Sequence, residues 1–233
     1  MEQIPHIDGG VWPPPPTNAI DDGRSRMLSL LSQYRSPTVL TRWMLGCLAV
    51  AVVTDVAEAI GLLGGLSAHA FTEAISEASS FITLAAGVVF LVWIHRLYKN
   101  LTALGIANLR HSPGVAVIMF ILPFINLYKP IVIVREIWRA TSPQATLSIV
   151  KGRWTETPST PLIGFWWIAY LCYNLVNTLI AVNSSNSQFE TAPYEVGAAL
   201  SVLSGTLLAV LALMLTERQE QRYTEIAANV SRA

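Results

Sequence analysis

Charge is what this sequence has least of. Only 13% of its 233 residues are Asp, Glu, Lys or Arg, where a soluble domain carries about 25%. A surface made of so few charges cannot face water on every side, so part of its solvent is lipid. Lys and Arg balance Asp and Glu at 15 each, and a net charge of zero argues against nucleic acid as a partner. Cysteine is nearly absent. Cys47 and Cys172 both fall inside apolar runs, which excludes a disulfide scaffold and a four-cysteine zinc centre. The spacings of common enzymes are missing as well: the glycine-rich nucleotide loops, the zinc-protease His pair, the nucleophile elbow and Cys-Xaa-Xaa-Cys. No catalytic residue, metal or cofactor is indicated, and an enzyme is the less favoured class.

What is present is apolar sequence in long stretches, 52% of residues with a mean hydropathy of +0.47. Runs at about 39–66, 79–98, 162–182 and 196–215 each approach the roughly 20 residues that cross a ~30 Å hydrocarbon layer as a helix. Trp43, Trp93, Trp166 and Trp167 mark their ends, where aromatic rings favour the head-group level. A further stretch, Gly114 to Ile125, is too short to cross and contains Pro123. Beyond Pro130, Ile133, Val134, Ile137 and Trp138 alternate with Arg135, Glu136 and Arg139 as in an interfacial helix.

The basic residues sort the loops. Lys and Arg are absent between Trp43 and His95 and again between Arg153 and Arg218. By the positive-inside rule the amino terminus, residues 96–153 and the carboxyl terminus share the cytoplasmic side. That requires an even number of crossings. The expected fold is an all-α integral membrane protein with four transmembrane helices. Between the second and third lies a proline-broken re-entrant or interfacial segment; a kinked 25-residue helix from Val115 to Arg139 is the alternative. Residues 1–37, with the run Pro13–Pro16, read as a flexible cytoplasmic tail without a signal-peptide pattern. Residues 38–216 read as the membrane domain, and 217–233 as a short, solvated cytoplasmic extension.

From Trp93 onward an ordered set of residues stands out: Trp93, Arg96 and Asn100, Leu104-Gly105, Ser112-Pro113-Gly114, Pro123, Asn126-Leu127, Pro130, Arg135 to Arg139 and Trp166-Trp167. In these features the chain resembles an uncharacterised bacterial multi-pass membrane family, domain of unknown function 4328, over roughly residues 40–216. The resemblance implies a compact helical domain in the bacterial inner membrane. It implies no reaction.

Three groups of residues carry the functional expectations. Asp55 and Glu58 share one face of the first span, about 20 and 24 Å beyond Arg42, and Asn174 and Asn177 reach similar depth in the third span. A carboxylate there is costly unless paired, neutralised or hydrated. The cluster is either an ion or proton site or interhelical glue. The second group, Arg96, Asn100, Asn126, Arg135, Glu136 and Arg139, would satisfy the broken backbone or bind a lipid head group, with Glu136 bridging to Arg96 or Arg135. The third comprises two small-residue stripes, Ala57, Gly61 and Gly65, and Gly197, Ser201, Gly205 and Ala209, which permit close helix approach. These stripes favour an accessory or scaffold subunit of a larger membrane complex, or a homo-oligomer. The alternative is a small ion- or proton-coupled transporter or channel component.

Overall fold

The computed structural model describes residues 17–63, 69–142, 154–183 and 192–232. Among these residues seven α-helices follow one another: α1 (Thr17–Leu31), α2 (Thr38–Leu63), α3 (His69–Ala103), α4 (Pro113–Ile118), α5 (Lys129–Ala140), α6 (Leu162–Asn183) and α7 (Ala192–Arg232). Four of them contain a span of membrane-crossing length and apolarity, beginning at Thr38, Ser80, Leu162 and Pro193. This is an all-α, multi-pass membrane protein with four transmembrane helices. Each span's outward face is apolar and exposed, with Val53, Phe81, Leu84, Phe165 and Val182 among the residues that lipid covers. Pro13–Pro16, Gly65, Lys151 and Arg153 lie outside the described residues.

The spans form a row rather than a closed ring. α3 packs on α2, α2 on α7 and α7 on α6, so α3 and α6 are the two edges. The stripe on the last span makes this possible. A methyl group added at Gly205 would stand 2.9 Å from Val52 Cγ2, which shows how closely α7 approaches α2. At Gly197 it would meet Val176, Asn177 and Ile180 of α6. The stripe expected to serve association with another protein is therefore used between this chain's own helices. On α2, Ala57 is exposed while Gly61 is buried, and among the described residues nothing lies within 4 Å of a methyl added at Gly61.

The stretch from Gly114 to Ile125 does not cross. α4 has six residues, about 9 Å of helix. Turns follow at 119–124, then a 3-10 turn at Ile125–Leu127. Ser112 caps α4, its Oγ accepting from the Val115 amide, with Pro113 in the first turn. Phe124 has left-handed backbone, φ 63°, rare for a bulky residue. It directly follows Pro123 at the point where the chain reverses. The kinked continuous helix is excluded. Upstream, α3 is stopped by Gly105 at φ 77°, with the Ile106 amide donating to Leu101 O at 3.0 Å, a glycine-dependent C-cap.

The densest core lies at the end of the bundle that carries the basic residues. Trp93, Ile94, Leu97, Leu101, Ile133, Ile137, Trp154 and Ile163 are buried there, because α1, α5 and the Trp154 turn cover the bundle where lipid tails do not reach. α7 runs 41 residues without interruption, and its last part is less solvated than its composition suggests. Gln219 and Arg222 are buried, Tyr223 stacks on Tyr34 at 4.4 Å, and Arg218 covers the Trp138 ring at 4.1 Å. Only one side of that extension meets water. The segment before the first span contributes too, since α1 ends at the buried Leu31 and Tyr34 just beyond it is buried as well.

Candidate functional site

Asp55 is half-buried on α2 and faces both α6 and α7. Tyr173 Oη on α6 donates to its Oδ2 at 3.0 Å, and Ser201 Oγ on α7 donates to the same oxygen. Three helices thus converge on one carboxylate. Tyrosine and serine in apolar spans need polar partners, and that need is the signal by which the sequence could have marked Tyr173, and Ser201 as more than a packing residue. Glu58 is half-buried one turn further along the same face.

Of the two asparagines expected beside Asp55, Asn174 turns away and Asn177 reaches the carboxylate only through the Tyr173 side chain. Asn174 is exposed and donates Nδ2 to Tyr170 O of its own helix, at 2.7 Å. Asn177 is exposed too, on the Tyr173 side of α6 and near Gly197. Depth was right to within a residue, but each residue on a helix turns 100°. It is therefore Tyr173, next to Asn174, that points at Asp55.

Asp55 borders a partly open cavity of about 320 Å³ lined by all four spans. Its walls are mainly apolar and aromatic: Met44, Leu48, Leu91, Phe90, Trp166 and Tyr170, with Thr83, Ser201 and Ser204 as the small polar groups. Phe120 and Asn126 of the broken segment close its other end. Trp167 Nε1 fixes that segment by donating to Leu127 O at 3.1 Å. Asn126, grouped by sequence with the cytoplasmic polar residues, thereby belongs to the same cavity as Asp55.

The rest of that group divides in two. Asn100, 1% exposed, clamps the approach to α2. Its Nδ2 donates to Arg35 O at 2.8 Å and Gln219 Oε1 at 3.0 Å, while Oδ1 accepts from the Arg35 amide at 3.3 Å. Beside it Trp93 Nε1 donates to Thr41 Oγ1 at 2.9 Å, and Thr41 and Thr216 pair at 2.7 Å. These contacts tie α2, α3 and α7 into a buried polar network. Arg135, Glu136 and Arg139 line a second, smaller cavity of about 160 Å³ with Arg110 and Trp154. Glu136 does not bridge to Arg96 or Arg135. Its Oε1 accepts from the Arg110 amide at 2.9 Å, and Oε2 makes no hydrogen bond among the described residues. With three arginines and one carboxylate among its lining residues, this cavity is positive, the sign that suits an anionic head group. Arg96 is half-exposed on α3. Among the described residues no group of three or more His, Cys, Asp and Glu could hold a metal.

The family whose pattern fits this arrangement is described as Domain of unknown function (DUF4328), and it matches residues 66–223. The chain belongs to this family. Within the match lie α3, the broken segment, α5, α6 and most of α7, and thus the asparagine clamp and the aromatic walls of the larger cavity. The match begins after α2, later than the resemblance near residue 40 suggested, and it extends past 216 to include Gln219 and Arg222. Asp55 itself lies outside it. No curated protein and no solved structure matches the chain.

Proposed function

We propose that this DUF4328 protein is a small ion- or proton-coupled transporter or channel component of the bacterial inner membrane, with Asp55 as its charge-bearing group. The observation that carries this reading is the meeting of α2, α6 and α7 at Asp55, on the wall of a cavity that reaches Asn126 of the broken segment. A carboxylate held inside a bundle with no Lys or Arg at its depth needs a proton or a cation for neutrality. Two hydroxyl donors hold it in place for such exchange. Irregular backbone at membrane depth is tolerated where it lines a cavity, and the segment that bears Asn126 fits that description.

The competing reading, an accessory or scaffold subunit, drew on both small-residue stripes, and the one on α7 packs inside this chain. No chemical step is required by either reading. Both termini are assigned to the cytoplasm, because α1, α5 and the end of α7 gather the basic residues at one end of the bundle. The test uses the full chain in proteoliposomes with a trapped pH dye and an imposed potassium diffusion potential. Wild type should carry proton or monovalent-cation flux, and Asp55→Asn with Glu58→Gln should abolish it while the folded protein persists. Unchanged flux in the double variant would end the transport reading.

A further inference from the structure

The chemistry of the larger cavity says more than that an ion enters it. An inorganic cation is held by a shell of oxygens, six to eight for a calcium-sized ion, and its site is small. This cavity is about 320 Å³, at the lower end of the range that holds small organic ligands. Its single carboxylate, Asp55, stands at one end beside Tyr173 and Ser201. Apart from Thr83, Ser204 and Asn126, the remaining wall is hydrocarbon and ring, including Phe90, Trp166 and Tyr170. Phe90 and Trp166 meet at 6.3 Å between centroids, and Trp166 and Tyr170 at 6.4 Å. Aromatic faces attract cations, most strongly where water is excluded. A simple acyl chain would fill the volume but leave a carboxylate against hydrocarbon.

We propose that the cavity is a binding site for a lipophilic organic cation, an amine or quaternary ammonium carrying an apolar group, with Asp55 as its counter-charge. The inference deepens the transport reading and rests on it for the role of the site. Both hydroxyl donors engage Oδ2, so neither occupies Oδ1, the oxygen left for the occupant. α3 and α6 are the two edges of the helix row. A ligand soluble in the bilayer reaches the cavity between them, past Thr83 and Gly87, which are exposed and also line it. The apolar portion lies against Leu48, Leu91 and the rings while the cationic centre faces the carboxylate.

The test is equilibrium binding of benzyltrimethylammonium to the purified full chain in lipid nanodiscs, with its uncharged isostere neopentylbenzene for comparison. Saturable binding at one site per chain is expected, read by calorimetry and by Trp166 and Trp167 fluorescence. Asp55→Asn should weaken it about tenfold or more, equivalent to about 1.4 kcal/mol. Gly87→Leu is the second variant, because a side chain there meets nothing within 4 Å and leaves Asp55, Tyr173 and Ser201 untouched. It should weaken binding by filling the cavity. Absent saturable binding, or equal affinity in Asp55→Asn, overturns the proposal. Equal affinity for neopentylbenzene overturns it as well and makes the cavity a lipid-tail site. If the cation fails to bind while Asp55-dependent flux persists, this inference falls and the transport reading stands. If the cation binds through Asp55 without any flux, the reverse holds.

Discussion

Replacing Asn100 with alanine tests whether the buried polar network holds the bundle together. The side chain uses both amide protons and its carbonyl, on Arg35 O, Gln219 Oε1 and the Arg35 amide. A hydrogen bond contributes a net ~1 kcal/mol, so the loss of three gives about 3 kcal/mol, and more if the stranded partners find no water. Water is scarce there, since Gln219 is fully buried and Asn100 nearly so. Gln219 is also committed elsewhere, its Nε2 donating to Leu97 O at 2.8 Å. Asn100→Asp should cost more than alanine. A carboxylate cannot donate, and it would face two acceptors, Arg35 O and Gln219 Oε1. The assay is equilibrium unfolding in mixed micelles followed by tryptophan fluorescence. A double-mutant cycle with Gln219→Ala should return a coupling of about 1 kcal/mol for the shared bond. A loss below about 1 kcal/mol for Asn100→Ala, or an aspartate milder than alanine, would refute the assignment of this network as a structural clamp.

Two further outcomes follow from packing and from titration. Gly205→Leu should destabilise the same unfolding transition by roughly 1–3 kcal/mol through overpacking against Val52 and Leu48. Gly61→Ala should change it by less than about 0.5 kcal/mol, because among the described residues nothing lies within 4 Å of the added methyl. The opposite order would mean that α7 does not use Gly205 to approach α2. Tyr34 sits outside the spans, and its phenol is pushed above the ordinary value, first by burial and then by the neighbouring Glu220 carboxylate. A raised acid binds its proton more tightly when folded. Its contribution is complete below the unfolded value of about 10 and is lost as pH climbs past it. Wild type should therefore lose stability above about pH 10 more steeply than Tyr34→Phe; parallel curves would show that Tyr34 does not titrate against the fold.

The spans and the broken segment were legible for a simple reason. Membrane crossing is decided by length and apolarity, both local properties of sequence, and the clustering of arginine and lysine demanded an even number of crossings. Pro123 and Pro130 argued against a crossing over the same region, but a kinked helix stayed open until the reversal at Phe124 excluded it. The candidate site was legible only in part. Asp55 announced itself as a carboxylate in an apolar run, and its depth led to the right turn of α6. Which residue on that turn meets it depends on how α6 is rotated, and rotation is set by packing against α7.

The same limit explains Asn126 and the small-residue stripe. Chain position puts Asn126 with the basic residues, whereas the reversal at Phe124 carries it to the cavity. Small residues every four positions predict close approach but not to which helix, and here α2 and α6 occupy the face. Glu136 likewise had arginines near it in sequence and found a backbone amide instead. Sequence by itself determined that four helices cross and that a carboxylate lies among them, because solvent preference acts residue by residue. Only tertiary structure decided what that carboxylate faces, because contacts between helices depend on rotation and stagger that no single helix encodes.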